Sequence, residues 1–529
     1  MLKNKLNITM GIIIFVLCLI VSKPTYANAV DNLKKSDLKT VQEEVEKAKS
    51  SGQKVTIMYY CAADNDLEPN LLLDIEEMKE GYQDNSNLNL VTLIDRAPGE
   101  TSNESVLGEN FEDTRLYKIN HNKATRLSGK DEFPEISLKG NYEANMGDPN
   151  VLKKFINYCK ANYKADKYVL IMANHGGGAR KKLKGNPNLK RAICWDYTND
   201  SDCLYTAEIS DKLTYNESVD VLVFDACFMG SVEVAYQYKP GNGGFEVNSM
   251  VASTPTVWGY GFKYDDILGR IKAGNEVSSE DDSILGGKEK TFNPKDITNE
   301  QIGSLFVEEQ RDSTKEDIYG DGEQLSYFDL TKVDAVKDEI DKLAVNLRKE
   351  NKKNEVEKLR GSQDTDVNLM HYFDENQQDE WASYPYFDIY DLCQNIIQGE
   401  NFSEETKILS KNCMNKIDKM IVYSFGNSNY KEFKEGKNGL SIFLPDGNAK
   451  YKFKDESGKI LAEVCHFKIL SWYNSIDTVK ANMPPYGKLR WCIDGENSEV
   501  NKVGNWFELL DSWFDNSNGK DGGINKYQW

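Results

Sequence analysis

The chain has 529 residues, with 65 Lys and Arg against 85 Asp and Glu, a formal net charge of −20. That balance argues against a nucleic-acid binder, whose phosphate contacts need a basic surface, and it suits divalent cations or a cationic substrate. Hydrophobic residues at 39% and aromatics at 11% exclude wholesale disorder. At roughly 100–200 residues per domain, the length fits two to four units or one enlarged α/β domain.

Residues 1–27 read as a secretory signal peptide. Lys3 and Lys5 form a basic start, residues 10–22 an apolar stretch too short to span a bilayer, and Ala27-Asn28-Ala29 a cleavage site cut after Ala27 or Ala29. No later run approaches ~18 apolar residues, so a secreted chain without a stable membrane anchor is expected. Of ten cysteines, Cys18 leaves with the signal, so nine remain and at least one thiol stays unpaired in a monomer. No C-x-x-C pair points to a zinc knuckle.

Residues 28–50 are charged and polar, as a propeptide would be. At Val55 the character changes to an apolar, β-branched and aromatic run typical of a buried strand. Helical spacing follows over 71–82, a strand over 88–94, a helix over 151–163, and apolar strands over 168–173 and 221–224. Further helices are expected over 232–238, 333–349 and 467–479, and a strand over 439–445. Alternating helices and doubly buried strands predict a mostly parallel sheet covered on both faces.

In such sheets, ligands bind beyond the carboxyl ends of strands. One strand runs into Asn174-His175-Gly176-Gly177-Gly178, and another into Asp225-Ala226-Cys227. If the strands are neighbours, His175 and Cys227 meet on one edge, which suits nucleophilic catalysis by a thiolate. The backbone N–H groups of Gly176 and Cys227 can then hold an oxyanion. Taken singly, Cys227 also fits a buried small hydrophobe and His175 a turn residue. His121 lies in a polar loop, His371 in a charged stretch, and His466 beside Cys465, where adjacent side chains diverge. Asp225 can pair with an Arg side chain of the substrate, or cap the following helix. Residues 180–191 concentrate positive charge in an exposed Gly- and Pro-containing loop, a preferred place for a proteolytic nick. A P1-Arg pocket would make Arg180 and Arg191 substrates of the chain itself.

The segments VTIMYYCAADNDLE, YVLIMANHGGGAR, RAICWD, VFDACFMG, EVAYQY, PGNGGF, GLSIFLP and NKYQW carry a likeness across essentially the whole chain. The sequence resembles the clostripain family of secreted, Arg-specific cysteine endopeptidases in the caspase-like clan. The resemblance implies a caspase-like three-layer α/β/α sandwich with a mostly parallel central sheet and a helical, mixed C-terminal extension. It makes His175 and Cys227 the catalytic dyad, without a firmly fixed third residue, and Asp225 the P1-Arg carboxylate. It also implies calcium-dependent self-cleavage at Arg180 and Arg191. That would leave a light chain (51–180) and a heavy chain (192–529) associated as a heterodimer, with 181–191 excised. Calcium ligands are not legible: no EF-hand loop occurs, and Asp64 with Asp66, or Asp196 with Asp200 and Asp202, are equal candidates. The alternatives are a related peptidase or transpeptidase with Lys or Asn preference, and a non-catalytic exported binding module.

Overall fold

Val55–Ala63 (β1) is buried at every position. Strand alternation sends Met58, Tyr60 and Ala62 into one core and Ile57, Tyr59 and Cys61 into another, on the opposite face. A strand apolar on both sides belongs in the middle of a covered sheet. The computed structural model describes residues 52–179, 193–274, 283–315, 322–362, 367–373, 384–445, 450–454, 460–465, 486–499 and 502–514. The expected signal peptide, the propeptide, the linker with Arg180 and Arg191, and the helix expected over 467–479 lie outside these residues.

The chain continues through α1 (Glu68–Gly81), β2 (Leu88–Arg96), β3 (Thr114–Asn120), β4 (Lys123–Leu127), α2 (Pro149–Asn162) and β5 (Lys167–Ala173). Next come a short hairpin of β6 (Ile193–Asp196) and β7 (Asp202–Leu204), then α3 (Thr206–Lys212) and β8 (Val219–Asp225). They lead into α4 (Val232–Gln237), β9 (Val247–Ala252), α5 (Tyr264–Gly269), α6 (Asn299–Thr314), β10 (Gln324–Asp329) and α7 (Val333–Lys349). Beyond these lie β11 (Tyr386–Asp388), α8 (Glu404–Met420), β12 (Ile421–Gly426), β13 (Ser441–Phe443) and α9 (Trp506–Phe514).

The main sheet has nine strands in the order β12-β10-β9-β8-β5-β1-β2-β3-β4. Its centre, from β9 to β2, is parallel, and both margins are antiparallel. One face is covered by α1, α5 and α6, the other by α2, α3, α4 and α7 with support from α8 and α9. The expected layered α/β class is therefore observed. The C-terminal half is no mere appendage: it supplies β10 and β12 to the same sheet.

Local signals explain the helix starts. Asp148 caps α2 by accepting from the Asn150 N–H, with Pro149 at the first position, where its missing donor costs nothing. Ser231 caps α4, and Thr298 and Gln301 form a capping box on α6. β3 and β4 carry charged residues between their apolar ones and lie at the margin, so no apolar run announces them. The apolar stretch over 439–445 yields only the short β13, paired with β11 outside the main sheet.

Candidate active site

β5 and β8 are parallel neighbours, with Ala173 opposite Asp225, so His175 and Cys227 each lie two residues past the same sheet edge. The pairing continues one step further, as the Asn174 N–H donates to the Asp225 carbonyl at 3.1 Å. The two loops then press together. A Cβ on Gly176 would lie 2.1 Å from the Cys227 carbonyl oxygen and 2.6 Å from its nitrogen. Only glycine permits that approach. The Cys227 sulfur accepts from the backbone N–H groups of Gly176 and Val257, the latter at 3.4 Å. Immediately after it, Phe228 is held at φ 61°, a strained position for a non-glycine residue that shapes the turn presenting the thiol.

His175 has a partner that the sequence does not announce. Its Nε2 lies 2.9 Å from Asp66 Oδ1, on the loop leaving β1, and the Tyr197 hydroxyl donates to that same oxygen at 2.9 Å. Trp195 stands edge-on to the imidazole with ring centres 6.0 Å apart. Burial would raise the Asp66 carboxyl, but the hydrogen bonds from His175 and Tyr197 outweigh it and hold the group below its ordinary value. Asn174 ties the loops together: its Oδ1 accepts from the Trp195 N–H at 2.9 Å, and its amide donates to the Ala62 carbonyl. Asp66 is a positioning residue for the imidazole. Asp66→Asn should lower kcat roughly ten- to a hundredfold, less than the 10²–10⁴ that general acid–base catalysis contributes in full, because the imidazole itself remains. KM and the rate of Cys227 alkylation should stay nearly constant; equal loss of both rates would mean that the whole loop has shifted instead.

Asp225 is buried at the end of β8 and accepts from the Tyr264 hydroxyl at 2.8 Å. It does not cap the next helix, since Ser231 fills that role. Asp74 of α1 lies on the same side of the sheet and accepts from the Tyr59 hydroxyl at 3.1 Å. Burial, then the Glu77 charge, push Asp225 up to about 7 against the pull of Tyr264. Burial and the neighbouring Asp225 likewise hold Asp74 well above the usual carboxylate range. Among the described residues, no Lys or Arg forms an ion pair with either. The two form a buried acidic pair at the strand end that leads to the thiol.

Among the eight cysteines whose side chains are described, none forms a disulfide and Cys227 alone is partly exposed. Burial around its sulfur pushes the thiol up to about 11, with the backbone donors of Val257 and Gly176 pulling the other way. The remaining histidines have local tasks. His121 Nδ1 contacts the Tyr82 carbonyl at 3.1 Å, and the His371 ring packs 4.6 Å from that of Phe373. His466, Arg180 and Arg191 lie outside the described residues.

The sequence pattern of the Clostripain family matches residues 59–513. The chain is also 61% identical over 535 residues to Clostripain of Hathewaya histolytica, covering 100% of both. It belongs to the clostripain family of cysteine peptidases. Two solved structures align with it at lower identity. One is a secreted C11 cysteine protease from Bacteroides thetaiotaomicron in complex with an irreversible peptide inhibitor, at 17% identity over 75% of this chain and 93% of that one, with a TM-score of 0.48. The other is an inactive zymogen C11 protease from Parabacteroides distasonis, at 17% identity over 75% and 93%, with a TM-score of 0.46. As a clostripain-family cysteine endopeptidase, the chain has its dyad candidates, His175 and Cys227, on adjoining loops at one sheet edge. What the sequence leaves unannounced is the ring around them: Asp66, Tyr197, Val257, Asp74 and Tyr264.

Proposed function

We propose that this endopeptidase is exported, requires calcium, cleaves peptide bonds after Arg, and matures by cutting itself at Arg180 and Arg191. The observation that carries the Arg preference is the buried Asp225 carboxyl two residues before the nucleophile, without an ion-pair partner among the described residues. A guanidinium reaching that carboxyl offers paired N–H donors and a full charge, which a carboxylate in low dielectric binds strongly.

The Cys227 thiol passes its proton to His175 as the sulfur attacks the carbonyl carbon of the Arg residue, and the carbonyl electron pair moves onto oxygen, which the Gly176 and Cys227 N–H groups receive. As the tetrahedral species collapses, the C–N bond breaks and the amine departs with a proton from His175. Water then attacks the thioester, His175 takes its proton, and the acid product leaves with the thiol restored. With Nε2 engaged by Asp66, Nδ1 is the nitrogen left to exchange these protons. The carboxylates of Asp64, Asp95 and Asp196 fit calcium, since two of their buried oxygens lack any hydrogen-bond donor. When bound there, the ion supplies charge balance to the fold and takes part in no bond change. Light chain 51–180 and heavy chain 192–529 then remain together as a heterodimer.

The test is kcat/KM on matched peptides with Arg, Lys or Asn before the cleaved bond. Arg should lead by roughly a hundredfold or more. Equal rates for Arg and Lys, or a lead for Asn, would sink the pocket assignment. The pH profile adds a sign. Burial pushes the Asp225 carboxyl up to about 7, and only its ionised form binds a guanidinium, so kcat/KM for Arg peptides should climb between about pH 6 and 8. A profile flat across that window would remove Asp225 from the pocket.

A further inference from the structure

We propose that Asp64, Asp95 and Asp196 together bind one calcium ion, and that this ion clamps the β6–β7 hairpin against the loop that orients His175. This rests on the calcium requirement proposed above and gives it a place. One carboxylate oxygen from each of the three lies within 4.8 Å of the others, and all three residues are buried. Asp64 Oδ1 and Asp95 Oδ2 accept no hydrogen bond at all.

The surroundings are rich in acceptors and poor in donors. Asp95 Oδ1 accepts from the Thr114 hydroxyl at 2.6 Å, Asp196 Oδ2 from the Met146 N–H at 2.7 Å, and Asp196 Oδ1 from the Asn199 N–H at 3.0 Å. Asp64 Oδ2 accepts from the Thr198 N–H at 2.9 Å. The single Thr198 hydroxyl proton faces three acceptors: Asp64, Asp196 and Glu143, which stands at the solvent rim. Among the described residues, no Lys or Arg forms an ion pair with any of these acids. Buried carboxylates in such numbers must either take up protons or hold a cation. The donor set is hard oxygen throughout, and a cage of protein carboxylates suits calcium better than magnesium, which keeps most of its water.

The ligands come from three separate segments. Asp64 follows β1, Asp95 is in β2 on the register position beside Ala62, and Asp196 closes β6. The hairpin is the first described element after the proposed linker at 181–191. Its Tyr197 donates through its N–H to the Asp64 carbonyl at 2.9 Å and through its hydroxyl to Asp66, the partner of His175. An ion shared by Asp64 and Asp196 therefore fixes the two residues on either side of that contact.

The test uses the full chain carrying Cys227→Ala, which cannot process itself, stripped of metal and titrated with calcium by calorimetry. One ion per chain is expected. Adding Asp95→Asn should weaken binding at least a hundredfold, while Asp200→Asn, an exposed acid of the same hairpin, should leave affinity unchanged. In chelator, the Asp95→Asn chain should unfold at the same or a higher temperature than its parent, because a buried unpaired charge has gone. A carboxylate with a merely structural role would lower it. Asp196→Asn, followed by terbium luminescence, serves as the second variant if the first fails to fold. Calcium affinity that survives both substitutions, or no binding by the parent at millimolar calcium, overturns the site. Arg cleavage by the unsubstituted chain alongside such a result would leave the Arg-directed reading standing, and would remove its calcium requirement where the parent binds no calcium. Calcium bound here, with the unsubstituted chain cleaving no Arg peptide, would sink the function and keep the site.

Discussion

Full-length protein carrying Cys227→Ala is expected to stay a single chain in calcium, while the unsubstituted protein splits at Arg180 and Arg191. Among the cysteines whose side chains are described, none offers a substitute nucleophile: all but Cys227 are buried, and Cys227 stands among the backbone donors of Gly176 and Val257. Loss of a nucleophile that acts as a unit with its base removes roughly 10⁶ in kcat, so even a slow intramolecular cut should vanish on laboratory times. Gel electrophoresis with mass spectrometry of the new ends measures it. Splitting of the pure variant at the same bonds would assign maturation to another protease. Cutting only after unsubstituted enzyme is added would show that one molecule can process another.

Asp225→Asn should lower kcat/KM for Arg peptides by roughly 10²–10⁴, the range expected when one member of a buried charge pair is removed. The substitution keeps the side chain's size and a carbonyl oxygen to accept from Tyr264, so the end of β8 should hold its shape. Alkylation of Cys227 by a small neutral reagent is the control and should change little. Asp74 makes this a sharper trial than charge reversal, because a lysine placed at 225 could pair with it and conceal the loss. Retained Arg cleavage in Asp225→Asn would falsify the pocket role.

The two strand ends that lead to the dyad candidates were legible because an apolar run ending in His-Gly or Asp-x-Cys states both a strand and its loop in adjacent letters. Asp66 was not, since it reaches His175 across 109 residues and nothing local marks it. The acids show the same limit. Along the chain, Asp64 pairs with Asp66 and Asp196 with Asp200 and Asp202. In space, Asp64 turns inward to Asp196 while Asp66 turns to the imidazole, Asp202 bonds Asn145, and Asp95 arrives through strand register. The expected sheet was readable from its doubly buried central strands. Its margins were not, because β3 and β4 are part-exposed and need no continuous apolar run.

The pairing of β5 with β8 has a consequence for the history of the molecule. The linker lies between these strands in sequence, yet they are hydrogen-bonded neighbours in the middle of the sheet. A nick there separates the covalent chain without opening any edge, so dilution should not part the fragments or lower specific activity. Unfolding is different. The intact chain regains its sheet by a first-order process, whereas nicked fragments must find each other by diffusion before the central ladder can form. Renaturation yield should thus become concentration-dependent at the moment of cutting, and the uncut chain acts as the only efficient template for its own fold.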